Sequence, residues 1–472
     1  MARRLRLIAC VVGAILLAGG VGAQSPVEEM DRAMKEFARL DLFSGTVLVA
    51  RGGSVVYAEA FGEANKDHHV ANILETRFNI GSIGKTFTAV AIMQLAEKGK
   101  LEIDAPVVRY LPDFPYGDAI TLHHLLSHTS GLSNYMAHPE YRSVMSRLRA
   151  IDDFLPLIYD QELIFENPGE AFSYSNSGIV VLGAVIEKVT GRPYREHLRD
   201  SVLLPAGMTD TGINFWDEVV SDRAMGYTRS LSGEYTAAVL RVPPASADGG
   251  IETTVLDMLR YDRALYGDTL LGEAAKKRMF TPNLRQYGYC WRIGDDGGRR
   301  SIGHTGGASG VSASFQRYPD DDVTIIVLSN FSGAAEGPAR TLEAIVFGQP
   351  YEPPKLPLDE LLYRSISDGA ITDAEGLEAA IERAGDEPRS GEPLNRLGYE
   401  LLAGGNVGMA VAVFEANLRR FPDDPNSYDS LAEAHLTKGD RDRAIALYRK
   451  ALEVDPGFES SRRMLERLTA SE

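Results

Sequence analysis

The chain has 472 residues, 44% of them hydrophobic and 24% charged, with a formal net charge of −17. This is ordinary globular composition, long enough for two or more domains with cores of their own. The acidic balance excludes the basic footprint of a nucleic-acid-binding protein and predicts repulsion from anionic surfaces.

At the N-terminus, Arg3, Arg4 and Arg6 precede the apolar run Leu7–Leu17, and Val21-Gly22-Ala23 puts small residues before Gln24. Residues 1–23 therefore read as a secretory signal, too short and too rich in Gly and Ala for a permanent membrane span. Leu7-Ile8-Ala9-Cys10 looks like a lipoprotein box but lies inside the apolar run, which argues against lipidation. Removing three cations takes the net charge from −17 to −20. The mature protein is expected to be exported, periplasmic or secreted, with no stable membrane span after cleavage. Cys290 is then its only cysteine, so no internal disulfide forms. Within the aromatic, strand-like segment Tyr287–Trp291 it reads as a small buried hydrophobe.

Val27–Leu40 has helical spacing. Ser44–Ala50 and Ser54–Ala60 read as strands joined at Arg51-Gly52-Gly53. Ser82-Ile83-Gly84-Lys85 then heads the apolar run Thr86–Leu95. On a helix, positions i and i+3 share a face, so the Lys85 amine reaches the Ser82 hydroxyl. A serine is a weak nucleophile until a base takes its proton, and an amine in an apolar wall serves as that base. The pattern alone occurs about once by chance in a chain of this length. Gly84-Lys85-Thr86 also imitates a phosphate loop, but Asn79 stands where that motif needs glycine.

From Ser82 to about Gly207 the pattern is mainly helical, with Gly178–Val189 closed by Thr190-Gly191, and Val255–Leu265 is a further helix. Tyr174-Ser175-Asn176 offers a phenol and an amide on a loop before a helix. Strands return from Tyr287. His304-Thr305-Gly306-Gly307 opens a strand segment whose small residues let a substrate backbone lie close. Val311–Tyr318 and Val323–Leu328 flank the turn Pro319–Asp322, and Ala339–Phe347 is a closing helix after Pro338. Strands at both ends with helices between predict one antiparallel sheet built from both ends of an α/β domain, helices on its faces and an all-helical region inserted.

Pro350–Pro357 is a Pro-rich linker. Beyond it, residues 392–425 and 426–459 repeat with a period of 34: Leu397 matches Leu431, Ala410 matches Ala444, Phe414 matches Tyr448 and Pro422 matches Pro456. This is the tetratricopeptide signature. Two repeats are thin for a solenoid, so helices Asp359–Ser367, Ala374–Ala384 and Glu459–Leu468 are expected to cap the repeats or dock them on the first domain. The division is thus a signal at 1–23, a catalytic domain at 24–348, linker and helices at 349–391, and the repeats with a capping helix at 392–472.

Taken in order, Ser82-x-x-Lys85, Tyr174-x-Asn176 and His304-Thr305-Gly306 resemble the three motifs of the class C β-lactamase and DD-peptidase-like serine hydrolases. Arg77-Phe78-Asn79-Ile80-Gly81, Leu125–Leu132, Pro168–Phe172 and Asp248-Gly249-Gly250-Ile251 agree, and the resemblance covers residues 30 to 348. It implies that Ser82 is acylated, that Lys85 activates it, and that Tyr174 passes a proton to or from the leaving group. Asn176 would orient Lys85 and a substrate amide, with His304, Thr305 and Gly306 lining the substrate strand and the N–H groups of Ser82 and Gly307 forming the oxyanion hole. The division of proton transfer between Lys85 and Tyr174 stays open, since such a pair titrates as a unit. His304 departs from the pattern, because class C β-lactamases usually carry lysine there to draw a substrate carboxylate. Histidine is largely neutral at pH 7. The resemblance therefore leans to the peptidase, D-aminopeptidase and esterase branches, with β-lactam hydrolysis slow or absent.

Other residues have plainer readings. His124 and His128 are four apart but lack a third metal ligand, His68-His69 reads as a loop pair, and Asp320–Asp322 reads as a solvated turn rather than a calcium loop. No metal or cofactor is expected. The expected activity is an exported serine hydrolase acting through an acyl-enzyme on a small-molecule or peptide amide or ester, with repeats that bind a protein partner or dock on the catalytic domain. The alternative is a non-catalytic, penicillin-binding-like sensor or scaffold that works through its repeats.

Overall fold

The computed structural model describes residues 25–238, 246–296, 298–385 and 388–470; the expected signal and Cys10 lie outside them. Helix α1 (Pro26–Arg39) starts at a capping box, Ser25 with Glu28, with Pro26 in its first turn. Strands β1 (Gly45–Arg51) and β2 (Ser54–Phe61) form the expected hairpin. Helices α2 (Gly84–Glu97) and α3 (Asn176–Thr190) follow, then a small hairpin, β3 (Tyr227–Arg229) and β4 (Tyr235–Ala237), and α4 (Val255–Tyr266). The domain closes with β5 (Arg292–Asp296), β6 (Arg299–Ala308), β7 (Val311–Tyr318), β8 (Val323–Ser329) and α5 (Glu336–Val346).

The six-stranded antiparallel sheet has the order β5-β6-β7-β8-β1-β2, so the two ends of the domain meet where β8 pairs with β1. Alternation serves both faces. Val47 and Val49 of β1 with Val323, Ile325 and Val327 of β8 pack under α1 and α5. Leu48, Ala50, Ile326 and Leu328 face the larger core around α2, α3 and α4. Helix α2 is buried all round, which explains its unbroken apolar run.

Two local expectations are corrected. Tyr287–Trp291 is a tight loop, and the strand begins only at Arg292. Cys290 adopts a left-handed φ of 62° and its N–H bonds the Leu126 carbonyl (2.9 Å), while Tyr287 bridges back to Arg292. His304–Gly307 does not open its strand but occupies the second half of β6.

The C-terminal region stacks helix pairs: α6 (Leu358–Ser367) with α7 (Ala374–Ala384), α8 (Glu392–Ala403) with α9 (Val407–Arg420), α10 (Pro425–Lys438) with α11 (Arg441–Val454), then α12 (Glu459–Thr469). Helix α6 packs on α8 and α7 on α9, so they extend the repeat stack by a further pair. The same end meets the first domain. Arg229 of β3 makes a two-pronged bond to Glu360 of α6 (2.7 and 2.9 Å), and Leu231 from the β3–β4 turn is buried in the helical core.

Candidate active site

Ser82 lies in the single 3₁₀ turn Gly81–Ile83 that leads into α2, and Lys85 follows one turn later. Lys85 is fully buried; its Nζ stands 2.9 Å from Ser82 Oγ and donates to the Asp248 carbonyl at 2.7 Å. The Tyr174 ring lies 5.3 Å from Nζ. Tyr174 Oη is buried and has no hydrogen-bond partner among the described residues. An orphan hydroxyl beside a nucleophile calls for an explanation, and a reacting atom that enters with substrate supplies one.

Two glycines bring the third motif to the serine. A Cβ on Gly306 would sit 1.9 Å from the Ile80 carbonyl oxygen and 3.0 Å from the Ser82 nitrogen. Gly81, at φ +50°, would place one 2.9 Å from the Gly307 nitrogen. Without side chains the two backbones touch, so the amides of Ser82 and Gly307 become neighbours. Strand β5 covers β6 only as far as Gly303, and residues 304–308 pair with no strand on that edge among the described residues. This leaves a strand edge for an extended substrate beside Ser82.

His304 is buried. Its Nδ1–H donates to the Thr305 carbonyl (2.6 Å), so Nε2 is an acceptor and takes the Tyr287 hydroxyl (2.8 Å). Burial, aided by the Lys85 charge, pushes the imidazole down to about 3, so it is neutral at pH 7. Burial likewise holds the Tyr287 phenol well above its ordinary value, which keeps it a donor. Thr305 is exposed on the edge.

Asn176 heads α3, and its side-chain amide donates to Met136 Sδ (3.5 Å) rather than to Lys85. The group that fixes Lys85 is the Asp248 carbonyl, 163 residues away. Sequence reasoning assigned no role to Asp248 or Tyr287, although both lie in segments it singled out.

His124 Nδ1 accepts the Thr121 N–H at the start of its own helix (3.2 Å), and His128 Nδ1 accepts the N–H of Ser175, 47 residues along the chain, while its Nε2 has no partner among the described residues. Asp321 and Asp322 pair with Arg299 and Arg263. Burial pushes the Cys290 thiol up to about 12, which leaves it inert.

The β-lactamase family model matches residues 30–348, and a tetratricopeptide repeat model matches residues 425–458. Penicillin-binding protein 4* of Bacillus subtilis is 33% identical over 341 residues, 67% of this chain and 75% of that protein. Esterase EstB of Burkholderia gladioli is 34% identical over 198 residues, 39% of this chain and 49% of the esterase. Among solved structures, a D-stereospecific amidohydrolase from Streptomyces sp. superposes with a TM-score of 0.59 at 26% identity, covering 69% of this chain and 99% of that one. No helix among the described residues is long and apolar enough to cross a membrane. With the serine–lysine pair, the Tyr174 phenol and the open β6 edge converging inside the matched region, this chain belongs to the β-lactamase family, as an acyl-enzyme serine hydrolase that carries a C-terminal tetratricopeptide repeat.

Proposed function

We propose that this is an exported hydrolase that transfers the acyl group of an amide or ester from a D-amino peptide or related ester to Ser82, and then to water. The uncharged form of Lys85 takes the Ser82 proton on Nζ as Oγ bonds to the substrate carbonyl carbon. The N–H groups of Ser82 and Gly307 receive the developing oxyanion, next to the positive end of α2. Tyr174 gives its proton to the leaving nitrogen or oxygen as that bond breaks, and is reprotonated through Lys85. Water then attacks the acyl-serine, its proton is taken by the same pair, and the Ser82 proton returns.

The observation that carries this reading is the buried Lys85–Ser82 contact of 2.9 Å beside a Tyr174 hydroxyl that has no partner among the described residues. The neutral His304 favours peptide and ester substrates over β-lactams, because it brings no charge to a substrate carboxylate. The relatives named above include a penicillin-binding protein, an esterase and a D-stereospecific amidohydrolase, and the proposal stays within that chemistry.

The test is intact-mass measurement after treatment with a fluorophosphonate, alongside turnover of p-nitrophenyl esters, D-amino-acid amides and nitrocefin. Wild type should gain one adduct, and Ser82→Ala should gain none and lose about 10⁴-fold or more in turnover. An equal adduct on Ser82→Ala would overturn the assignment.

A further inference from the structure

His128 lies outside the three motifs, yet it touches the middle one from both sides. Its carbonyl accepts the Ser173 N–H (2.9 Å), and its ring Nδ1 accepts the Ser175 N–H (3.3 Å). Ser173 and Ser175 flank Tyr174. Between these two bonds the imidazole packs on the Tyr174 ring itself, with centroids 4.3 Å apart and planes tilted by 42°. One residue thus holds the backbone before the phenol, the backbone after it and the face of its ring.

Reaching all three requires unusual backbone. His128 has a left-handed φ of +56°, a region that histidine, asparagine and aspartate enter more readily than other side chains. The residue is buried, and its loop is tied back to the short helix Leu122–Leu126 through the Thr129 N–H to the His124 carbonyl (2.9 Å). Thr129 extends the clasp, its carbonyl accepting the Gly169 N–H (2.8 Å) at the start of the segment that leads to Tyr174. Because Nδ1 accepts an amide proton, Nε2 must carry the ring hydrogen. Burial and the neighbouring Lys85 charge keep the ring neutral, which preserves Nδ1 as an acceptor.

We propose that His128 is a positioning residue that fixes the Tyr174 hydroxyl for proton delivery to the leaving group. The inference rests on the reading that Tyr174 is that donor. Among the described residues Tyr174 Oη has no partner to hold it, so its placement depends on what grips its ring and backbone. Its ring also packs on Tyr287, with centroids 5.1 Å apart, but no hydrogen bond among the described residues joins His128 to Ser82 or Lys85, so His128 acts as a support for Tyr174.

The prediction separates leaving groups. Poor leaving groups need the proton from Tyr174, and good ones do not. Single-turnover acylation of Ser82 is measured with a series of phenyl esters whose phenols span a range of acidity, and kcat and KM are measured with an anilide. His128→Ala is expected to lower acylation by the least acidic phenols and kcat on the anilide by about 10- to 100-fold. KM, the rate with p-nitrophenyl esters and fluorophosphonate labelling should each stay within about 3-fold of wild type. Asparagine tolerates the left-handed backbone and places Oδ1 where histidine has Nδ1, so His128→Asn should recover to within about 3-fold of wild type. Tyr174→Phe serves as the reference.

If Tyr174→Phe acylates with poor leaving groups at the wild-type rate, the reading of Tyr174 fails and the inference with it. If Tyr174→Phe is impaired and His128→Ala is not, the inference alone fails. It also fails if His128→Ala loses fluorophosphonate labelling as steeply as it loses anilide turnover, or if His128→Asn is no better than His128→Ala.

Discussion

The Tyr287 hydroxyl donates to His304 Nε2 across 2.8 Å, and this bond removes the last free position on the His304 ring. Nδ1 is already committed to the Thr305 carbonyl at 2.6 Å. The imidazole therefore offers a substrate neither a charge nor a spare donor. It serves as a spacer that joins the loop before β5 to the open edge of β6.

Nitrocefin turnover should accordingly be slow or absent in the wild type. His304→Lys brings a cation to the edge and leaves the Tyr287 hydroxyl a new acceptor to find. It should raise the second-order rate of Ser82 acylation by nitrocefin by about 10-fold or more, at a stability cost of about 1–3 kcal/mol from the burial of charge. Stopped-flow acylation and urea unfolding measure the two effects. Wild-type turnover comparable to that of a dedicated β-lactamase would defeat the argument.

The same buried ring makes stability depend on pH. His304 is held down to about 3 in the fold, while an unfolded histidine titrates near 6.5. Between these values the unfolded chain binds the proton and the folded one does not, so stability is full above about 6.5 and is lost as pH falls toward 3. The slope from one such group is about 1.4 kcal/mol per pH unit. His304→Gln removes it. Urea unfolding at pH 7 and pH 5 should show wild type losing more stability than the variant over that interval, and parallel losses would exclude the effect.

Much of this site was legible because its parts are local or ordered. Ser82 and Lys85 meet through helical spacing, and Tyr174 and His304 were found by their order along the chain. What escaped were contacts made by the fold. The Asp248 carbonyl that holds Lys85 is a backbone atom with no side-chain signature. The Tyr287–Trp291 loop was read as a strand because its aromatic residues fit one, but the backbone turns at Cys290. The pair α6 and α7 lacks the residue pattern of the 34-residue repeat yet stacks as a repeat does, since burying an apolar face on α8 and α9 needs only amphipathic helices.

Arg292 is a cation away from the His304 position, at the start of the open edge of β6. It begins β5, pairs with Gly303 immediately before His304, and is exposed at the point where the open edge of β6 starts. Its charge is among those that hold His304 and His128 neutral, so its field reaches the site. On the mechanism proposed above the leaving group departs toward Tyr174, whose ring is 6.2 Å from the His304 ring. Arg292→Gln should raise KM about 10-fold for peptides or depsipeptides with a free carboxylate on the leaving side, with kcat changed less than 3-fold. Uncharged esters should be unaffected, and equal losses on charged and uncharged substrates would show a structural effect instead.

The contact between the two modules can be broken without touching the catalytic residues. Arg229 bridges Asp41 of the first domain and Glu360 of α6, and Glu360 is buried with Arg364 as its other partner. Arg229→Ala leaves Glu360 half-paired, and Leu231→Asp puts a charge into the apolar core formed with Leu362 and Ile366. Burial of a leucine contributes about 1.5–3 kcal/mol. A loss of about 2 kcal/mol in a domain of this size lowers its melting temperature by roughly 10 °C. Calorimetry of the double variant should show the helical module melting earlier, and proteolysis should become faster in the Pro350–Pro357 linker. The β3–β4 hairpin that carries both residues also rests on the β6–β7 turn, because the Ala238 N–H bonds the Gly226 carbonyl and Gly226 packs against Gly310, three residues beyond Gly307. If docking of the helical module steadies that turn, kcat should fall several-fold in the double variant while fluorophosphonate labelling of Ser82 persists; unchanged melting and unchanged kcat together would mean that the contact holds nothing.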